Sequence, residues 1–359
     1  MATHSLDVST ADQNPRLNPV HIAAFPRRQA LAWSNDVLYA SRGYSILRAR
    51  MQTSASPVWE EVGTYQPGLV RSLTSSSRLA SRFLRDGFHA LAILSSGHLV
   101  AAVPHAIVTL RPGETEFHVS HKLLRGTRPL HLAVTPDDHI FWGEYFDNPQ
   151  RDEVHIYASA DRGAHWDVPY TFFKGAIRHV HNIVYDEWEN CLWVLTGDHG
   201  SECRILRASC DFRSVDAILS GNQQARSAAL VPTRDALYFS SDTPLETNHV
   251  YRLDRGGDPS KVGTLNGSSI YGCLVGNAVF FSTMVEPSAI NSDRNACVYG
   301  SVDGVRWQRM LQCRKDGWPT GLFQYGNAFL PDGDNHTSIL AITTIAVERA
   351  DLETTIWRI

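Results

Sequence analysis

Cysteine is sparse. Six residues, at positions 191, 203, 210, 273, 297 and 313, are spread through a 359-residue chain with no CxxC pair. That excludes a disulfide-stapled scaffold, a thiolate zinc site of CxxC…CxxC type and a redox dithiol. The six read as reduced, mostly buried thiols; Cys191 and Cys203 fall where neighbouring strands of one sheet would place them. Long apolar runs are also missing: nothing approaches 18 uninterrupted apolar residues, so no transmembrane helix is expected. The first residues, MATHSLDVSTADQNPRLNP, carry no apolar h-region, so no secretory signal is read here and a cytoplasmic location is expected. Excess charge of either sign is absent, with 33 basic against 37 acidic residues and a formal charge of −4. A nucleic-acid footprint and a polybasic membrane surface are thereby excluded. There is no G-x-S-x-G elbow, and Gly256-Gly257 belongs to no nucleotide-binding fingerprint. PDGDN at 331–335 lacks the remaining ligands of a calcium loop and reads as a hairpin turn.

Helical periodicity is nearly absent as well. What is present is a succession of short runs rich in Val, Ile, Leu, Tyr, Phe and Trp, such as HLAVTP, HIFWGEYF, EVHIYASA and WDVPYTFF, punctuated by Gly, Pro, Asn, Asp and Ser. That is an all-β pattern. The runs recur as a unit. Arg128, Arg178 and Arg226, spaced 50 and 48 residues apart, each precede an apolar strand and a turn. A second strand follows each turn, ending near Glu144, Asp198 and Asp242, and then a third, EVHIYAS, CRILRAS or HVYRLDR. A four-strand repeat of this length reads as a propeller blade.

The sequence therefore predicts an all-β, seven-bladed β-propeller, with blades near 28–66, 82–122, 126–174, 175–221, 222–265, 266–313 and 317–359. Six or eight blades also fit, because the first two repeats match the template poorly. Residues 1–18 form a polar N-terminal arm and 19–359 a single domain. The final repeat ends after its third strand at TTIWRI, so a strand from PVHIAAF is expected to close the ring and remove two open sheet edges.

Two segments carry a family resemblance. SADRGAHW, Ser159 to Trp166, matches the pattern S-x-D-x-G-x-x-W, and SVDGVRW, Ser301 to Trp307, is a copy one residue shorter; ASCDFRSVD is a decayed version. Both resemble the Asp-box (BNR-repeat) motif of the sialidase-like propellers. The resemblance implies a propeller fold and a carbohydrate-active ancestry. It also implies that Asp161 and Asp303 lie in turns on the face opposite the active site.

Two sets of loops would then meet at the mouth of the central channel. One set supplies Arg85, Arg128, Arg178 and Arg226; the other supplies Glu144, Tyr145, Asp198, Asp242 and Glu286. Arginine forks suit a carboxylate or sulfate, or they pair with these acids as rim salt bridges. His131 and His181 share the spacing R-x-x-H, and His89 follows Arg85 at nearly the same interval. Three imidazoles in register could hold a divalent metal in the channel or exchange protons near neutral pH, a placement similar to that of propeller lyases acting on uronate polymers; no cofactor is certain. Each could equally be satisfied within its strand. Trp142 and Trp318 offer a sugar-stacking surface. The expected function is a glycoside hydrolase or polysaccharide lyase acting on an acidic, uronate- or sialate-like oligosaccharide or polysaccharide. His181, His131, Glu144, Asp198, Asp242 and Tyr145 are its candidate catalytic groups, and Arg128, Arg178, Arg226, Arg85, Glu286 and Trp142 its candidate binding groups. The alternative is a non-catalytic propeller that binds a glycan or a protein.

Overall fold

The computed structural model describes residues 16–51 and 57–359, so most of the expected arm 1–18 lies outside the described residues. The chain is an all-β propeller. Separate four-stranded antiparallel sheets are formed by Ala90–Ile93 to His118–Lys122, Ala133–Val134 to Asp167–Phe172, His179–Asp186 to Val215–Ser220, and Ser227–Pro232 to Pro259–Thr264. Each is laid down in chain order from the axis outward.

The burial pattern explains why these segments become strands. The second strand, such as Cys191–Gly197, is buried at every position because sheets pack against both its faces. The outermost, such as His118–Lys122, is exposed or half-buried throughout. The apolar runs thus mark inner strands with two packed faces, and the mixed runs mark the rim. Apolar clusters fill the spaces between sheets; Phe141 and Ile156 meet Ile183 and Val194 in one, and Trp193 and Leu195 meet Leu230 and Phe239 in the next.

Seven separate blades do not form. Five sheets are discrete blades, and the remaining strands make one eight-stranded sheet curled as a half-barrel. Its join is short. Ala278–Val285 is eight residues long, and its last two, Met284 and Val285, pair with Asn327 and Gly326. Gly326 allows this approach, since a Cβ there would stand 2.8 Å from Cδ of Lys315. Counting strands per repeat cannot reveal where the hydrogen bonds of one sheet pass into the next. At the far edge Val20–Pro26 pairs with Glu353–Arg358, so the first and last described strands lie on one sheet.

The fifth discrete blade, Gln29–Asn35 to Glu60–Thr64, has an additional inner strand. Asp332–Asn335 pairs parallel to Gln29–Asn35, with Trp33 opposite Gly333. The PDGDN segment is therefore not a hairpin turn. It leaves its own sheet and lies along the axial edge of the first blade. All six cysteines are free thiols, and Cys191 and Cys203 form no bridge. Helices are confined to short connections, chiefly Leu69–Thr74, Arg78–Leu84 and Thr320–Phe323. Among the described residues no helix is long and apolar enough to cross a membrane.

Candidate functional site

In a four-stranded antiparallel blade, the connections from the second strand to the third lie at one end. Those from the third to the fourth lie at the other. Glu144 and Asp198 follow second strands, whereas Asp161 and Asp303 sit between third and fourth strands. The two pairs consequently occupy opposite ends.

The turn at Asp161 is tightly bonded. Ser159 Oγ lies 2.9 Å from Asp161 Oδ1, and it accepts the Gly163 N–H at 2.9 Å. Asp161 Oδ1 accepts the His165 N–H at 2.9 Å. Burial raises the Asp161 carboxyl, but the bonds from His165 and Ser159 prevail and bring it down to about 2. A depressed carboxyl contributes stability above the usual carboxylate range, and that contribution is lost as pH falls towards 2. Asp161→Ala is therefore expected to cost about 1 kcal/mol or less at pH 7, screened by solvent at this exposed turn. The deficit should narrow between pH 4 and 2 in urea titrations; a deficit independent of pH would count against the carboxylate's role.

At the opposite end one polar cluster stands out. His179 and His181 lie two apart on the inner strand His179–Asp186, which bulges between Val180 and Asn182, and their rings meet with centroids 5.0 Å apart. Asp198 follows the paired strand, directly after Gly197, which stands opposite His179. A Cβ on Gly197 would approach Cε1 of His181 to 2.9 Å, so glycine there leaves room for the ring. His179 Nε2 and His181 Nε2 are 3.1 Å apart, and they lie 3.6 and 3.4 Å from the Asp198 carboxylate. Nδ1 of His181 is 2.9 Å from the Ser227 carbonyl, and Nδ1 of His179 is 3.1 Å from that of Phe146. Burial lowers the His179 imidazole despite its contact with Asp198. Burial opposes ionisation of Asp198, yet the neighbouring imidazoles of His179 and His181 hold its carboxyl far below the usual range.

Two guanidiniums close around the same carboxylate. Arg178 stands 3.5 Å from Asp198 and also pairs with Asp147; Arg226 stands 3.3 Å from Asp198 and 4.0 Å from Asp242. The Tyr145 ring packs 4.3 Å from that of His179, and burial pushes its phenol upward. Glu286 accepts from Ser268 Oγ at 2.8 Å, and burial with the neighbouring Asp242 raises its carboxyl. The cluster thus combines His181, Asp198, Asp242, Tyr145, Arg178, Arg226 and Glu286 with His179.

Other expected members are elsewhere. Glu144 points away: its carboxylate pairs with Arg125 and accepts the His155 N–H at 2.8 Å. Trp142 is buried, stacked 4.2 Å from Tyr157, and offers no surface to a sugar. His131 stands 3.0 Å from Asp332 and packs against Tyr271, while the half-buried His89 packs beside Phe329. His89, His131 and His181 thus do not form one ligand set; the axial segment Asp332–Asn335 engages His131 instead. Arg128 donates to the Arg85 carbonyl at 2.7 Å, and burial with the nearby Arg85 charge lowers it to about 10. Arg85 itself ends the helix Arg78–Leu84 in a left-handed conformation.

His179 was the residue the repeat register hid. The signal was the His-x-His spacing itself, which places two imidazoles on one strand face whatever the blade count.

The fold and this face define a β-propeller. No family model matches the chain, and no curated protein matches it in sequence. Solved structures do. A chain in a crystal structure of the mitotic checkpoint complex is similar at 11% identity and a TM-score of 0.59, covering 100% of this chain and 99% of that one. The WD40 β-propeller domain of Doa1 is similar at 10% identity and 0.55, covering 94% and 96%. A chain of a nidogen/laminin complex is similar at 11% identity and 0.50, covering 81% and 96%. At these identities the likeness is one of fold. The Asp-box resemblance consequently rests on the turns at Ser159 and Ser301 alone.

Proposed function

We propose that this protein is a non-catalytic propeller that docks a protein segment bearing both apolar and acidic side chains. The observation that carries the reading is an apolar patch beside an arginine-lined cleft, at the same end as Asp198. The inserts Leu69–Thr74, Arg78–Leu84 and Thr320–Phe323 all connect an outer strand to the next inner one, so they share that end. Leu69 is 86% exposed and Leu73 75%, and Val70, Phe83, Trp318 and Leu322 are exposed beside them. The inserts are held together rather than loose. Arg82, buried, donates to the Phe323 carbonyl at 2.9 and 3.1 Å and pairs with Asp316 at 2.5 Å. A contiguous apolar surface on a fixed scaffold marks an interaction site.

The neighbouring cleft, about 570 Å³, is lined by Arg27, Arg28, Arg42 and Arg78 with a single acid, Asp86. Arg28 lies over the Phe25 and Trp59 rings, and its buried Nε has no hydrogen-bond partner among the described residues. Burial and the Arg42 charge lower its pKa. An incoming carboxylate would relieve that crowding.

Two further facts favour binding over glycan turnover. Arg178 and Arg226 are already engaged by Asp147, Asp198 and Asp242, and Glu144 by Arg125. Two of the similar chains named above also come from structures of protein complexes.

Selection from a random peptide library displayed on phage tests the reading. Selected peptides should combine Asp or Glu with Leu, Phe or Trp. Leu73→Asp and Arg28→Glu should each weaken the best peptide at least tenfold, about 1.4 kcal/mol. His181→Ala should leave its affinity unchanged. Failure to select any such peptide, together with turnover of a uronate or sialate oligosaccharide that His181→Ala abolishes, would replace docking by catalysis.

A further inference from the structure

We propose that His179, His181 and Asp198 form a binding site for one divalent first-row transition-metal ion. The case begins with protons. A backbone carbonyl can only accept, so the 2.9 Å contact of His181 Nδ1 with Ser227 and the 3.1 Å contact of His179 Nδ1 with Phe146 require a hydrogen on each Nδ1. In the neutral imidazole that leaves a lone pair on each Nε2. The two lone pairs face one another at 3.1 Å, with a carboxylate 3.4 and 3.6 Å away. Two imidazole nitrogens and a carboxylate, with Oδ2 towards His179 and Oδ1 towards His181, turn inward on one point and need a positive centre between them.

The spacing suits a metal. Ligand atoms about 2.0–2.1 Å from a common ion lie roughly 2.9 Å apart in an octahedral arrangement and 3.4 Å apart in a tetrahedral one. The nitrogen–nitrogen separation of 3.1 Å and the contacts of 3.4 and 3.6 Å to the two carboxylate oxygens lie within a few tenths of an ångström of that interval. A ring whose remote nitrogen donates to a carbonyl is also how protein imidazoles are oriented towards metals. Two imidazole nitrogens with one carboxylate favour zinc, cobalt or ferrous iron over calcium or magnesium, which prefer oxygen alone.

Arg226 and Arg178 compete for the same carboxylate, and the structure provides each with another acceptor. Asp147 already pairs with Arg178. Asp242 is 7% exposed, its Oδ2 lies 4.0 Å from Arg226 Nε, and its Oδ1 has no hydrogen-bond partner among the described residues. A small movement would transfer Arg226 from Asp198 to Asp242 as a cation arrives. Nothing in this arrangement depends on a docked partner.

The alternative occupant is a proton shared between the imidazoles. The two are separated by dialysing the full-length protein against chelator and then against Zn²⁺, and measuring zinc per chain. Expected is one zinc per chain and a raised Tm, with His179→Ala and Asp198→Asn at least tenfold weaker and His131→Ala unchanged. X-ray absorption of the zinc-loaded wild type, which needs no variant to fold, should show two imidazole nitrogens and carboxylate oxygen. Zinc uptake below stoichiometry, retention by both variants with native circular dichroism, or a ligand shell without imidazole would overturn the site.

Discussion

Asp186→Ala is expected to remove about 3 kcal/mol of stability, the cost of breaking a buried ion pair and leaving a buried indole N–H without its acceptor. Asp186 ends the inner strand His179–Asp186 and is 0% exposed. Its Oδ2 accepts Trp193 Nε1–H at 2.9 Å and Arg255 at 2.6 Å; its Oδ1 accepts the Trp188 N–H at 3.0 Å and Arg255 again at 3.2 Å. Arg255 comes from the next blade, just after His249–Asp254, and donates also to Glu189 at 2.8 Å. One carboxylate thus fastens two blades and orients a core tryptophan. Removing it leaves Glu189 as the guanidinium's remaining carboxylate and strands an indole N–H in the same step. Urea unfolding should show a lower midpoint at an unchanged slope, since the native surface stays the same. Arg255→Met strands Asp186 in turn and should cost a similar amount. The double variant should lose less than the two losses added together, because both single changes remove the same Asp186–Arg255 contact. A loss below about 1 kcal/mol in Asp186→Ala would mean that solvent reaches the pair.

The period of about fifty residues was legible because each repeat places its apolar run on an inner strand packed on both faces. Burial of that kind leaves a trace at every position, as in Cys191–Gly197. Sheet boundaries leave none: the join at Met284–Asn327 and Val285–Gly326 is two residue pairs long and depends on backbone alone. Composition misled at 331–335, where Pro, Asp, Gly and Asn are typical of turns but here line the axis beside the first blade. The mouth residues were read correctly as loop residues, yet their partners were not visible. Arg125, which engages Glu144, lies in an irregular stretch with no register to mark it. Trp142 has the composition of a stacking platform, and only its packing on Tyr157 shows that it is core. His-x-His on one strand was the local signal that long-range register obscured.

Gly333→Ala tests the axial segment, and its loss should exceed that of a glycine replaced in open space. Gly333 has φ +85°, and a Cβ there would stand 2.3 Å from the Trp33 carbonyl oxygen and 3.3 Å from the Trp33 nitrogen and carbonyl carbon. Those are backbone atoms of a strand paired on its other side, so they cannot move aside as a flexible side chain would. Gly43 provides the reference, with φ +60° and nothing within 4 Å of its would-be Cβ. Gly43→Ala carries only the strain of a left-handed residue, about 1 kcal/mol. Gly333→Ala adds the clash and should cost about 2–4 kcal/mol in total. The location of the damage is as informative as its size. If Asp332–Asn335 peels away from Gln29–Asn35, Asp332 leaves His131, and amide exchange at 332–336 should accelerate ahead of that in the blades. Equal losses in the two variants would show that the segment is held loosely enough to absorb a methyl group. The channel of this propeller would then be open to ligands in solution, and the pairing at Trp33 would be one conformation among several.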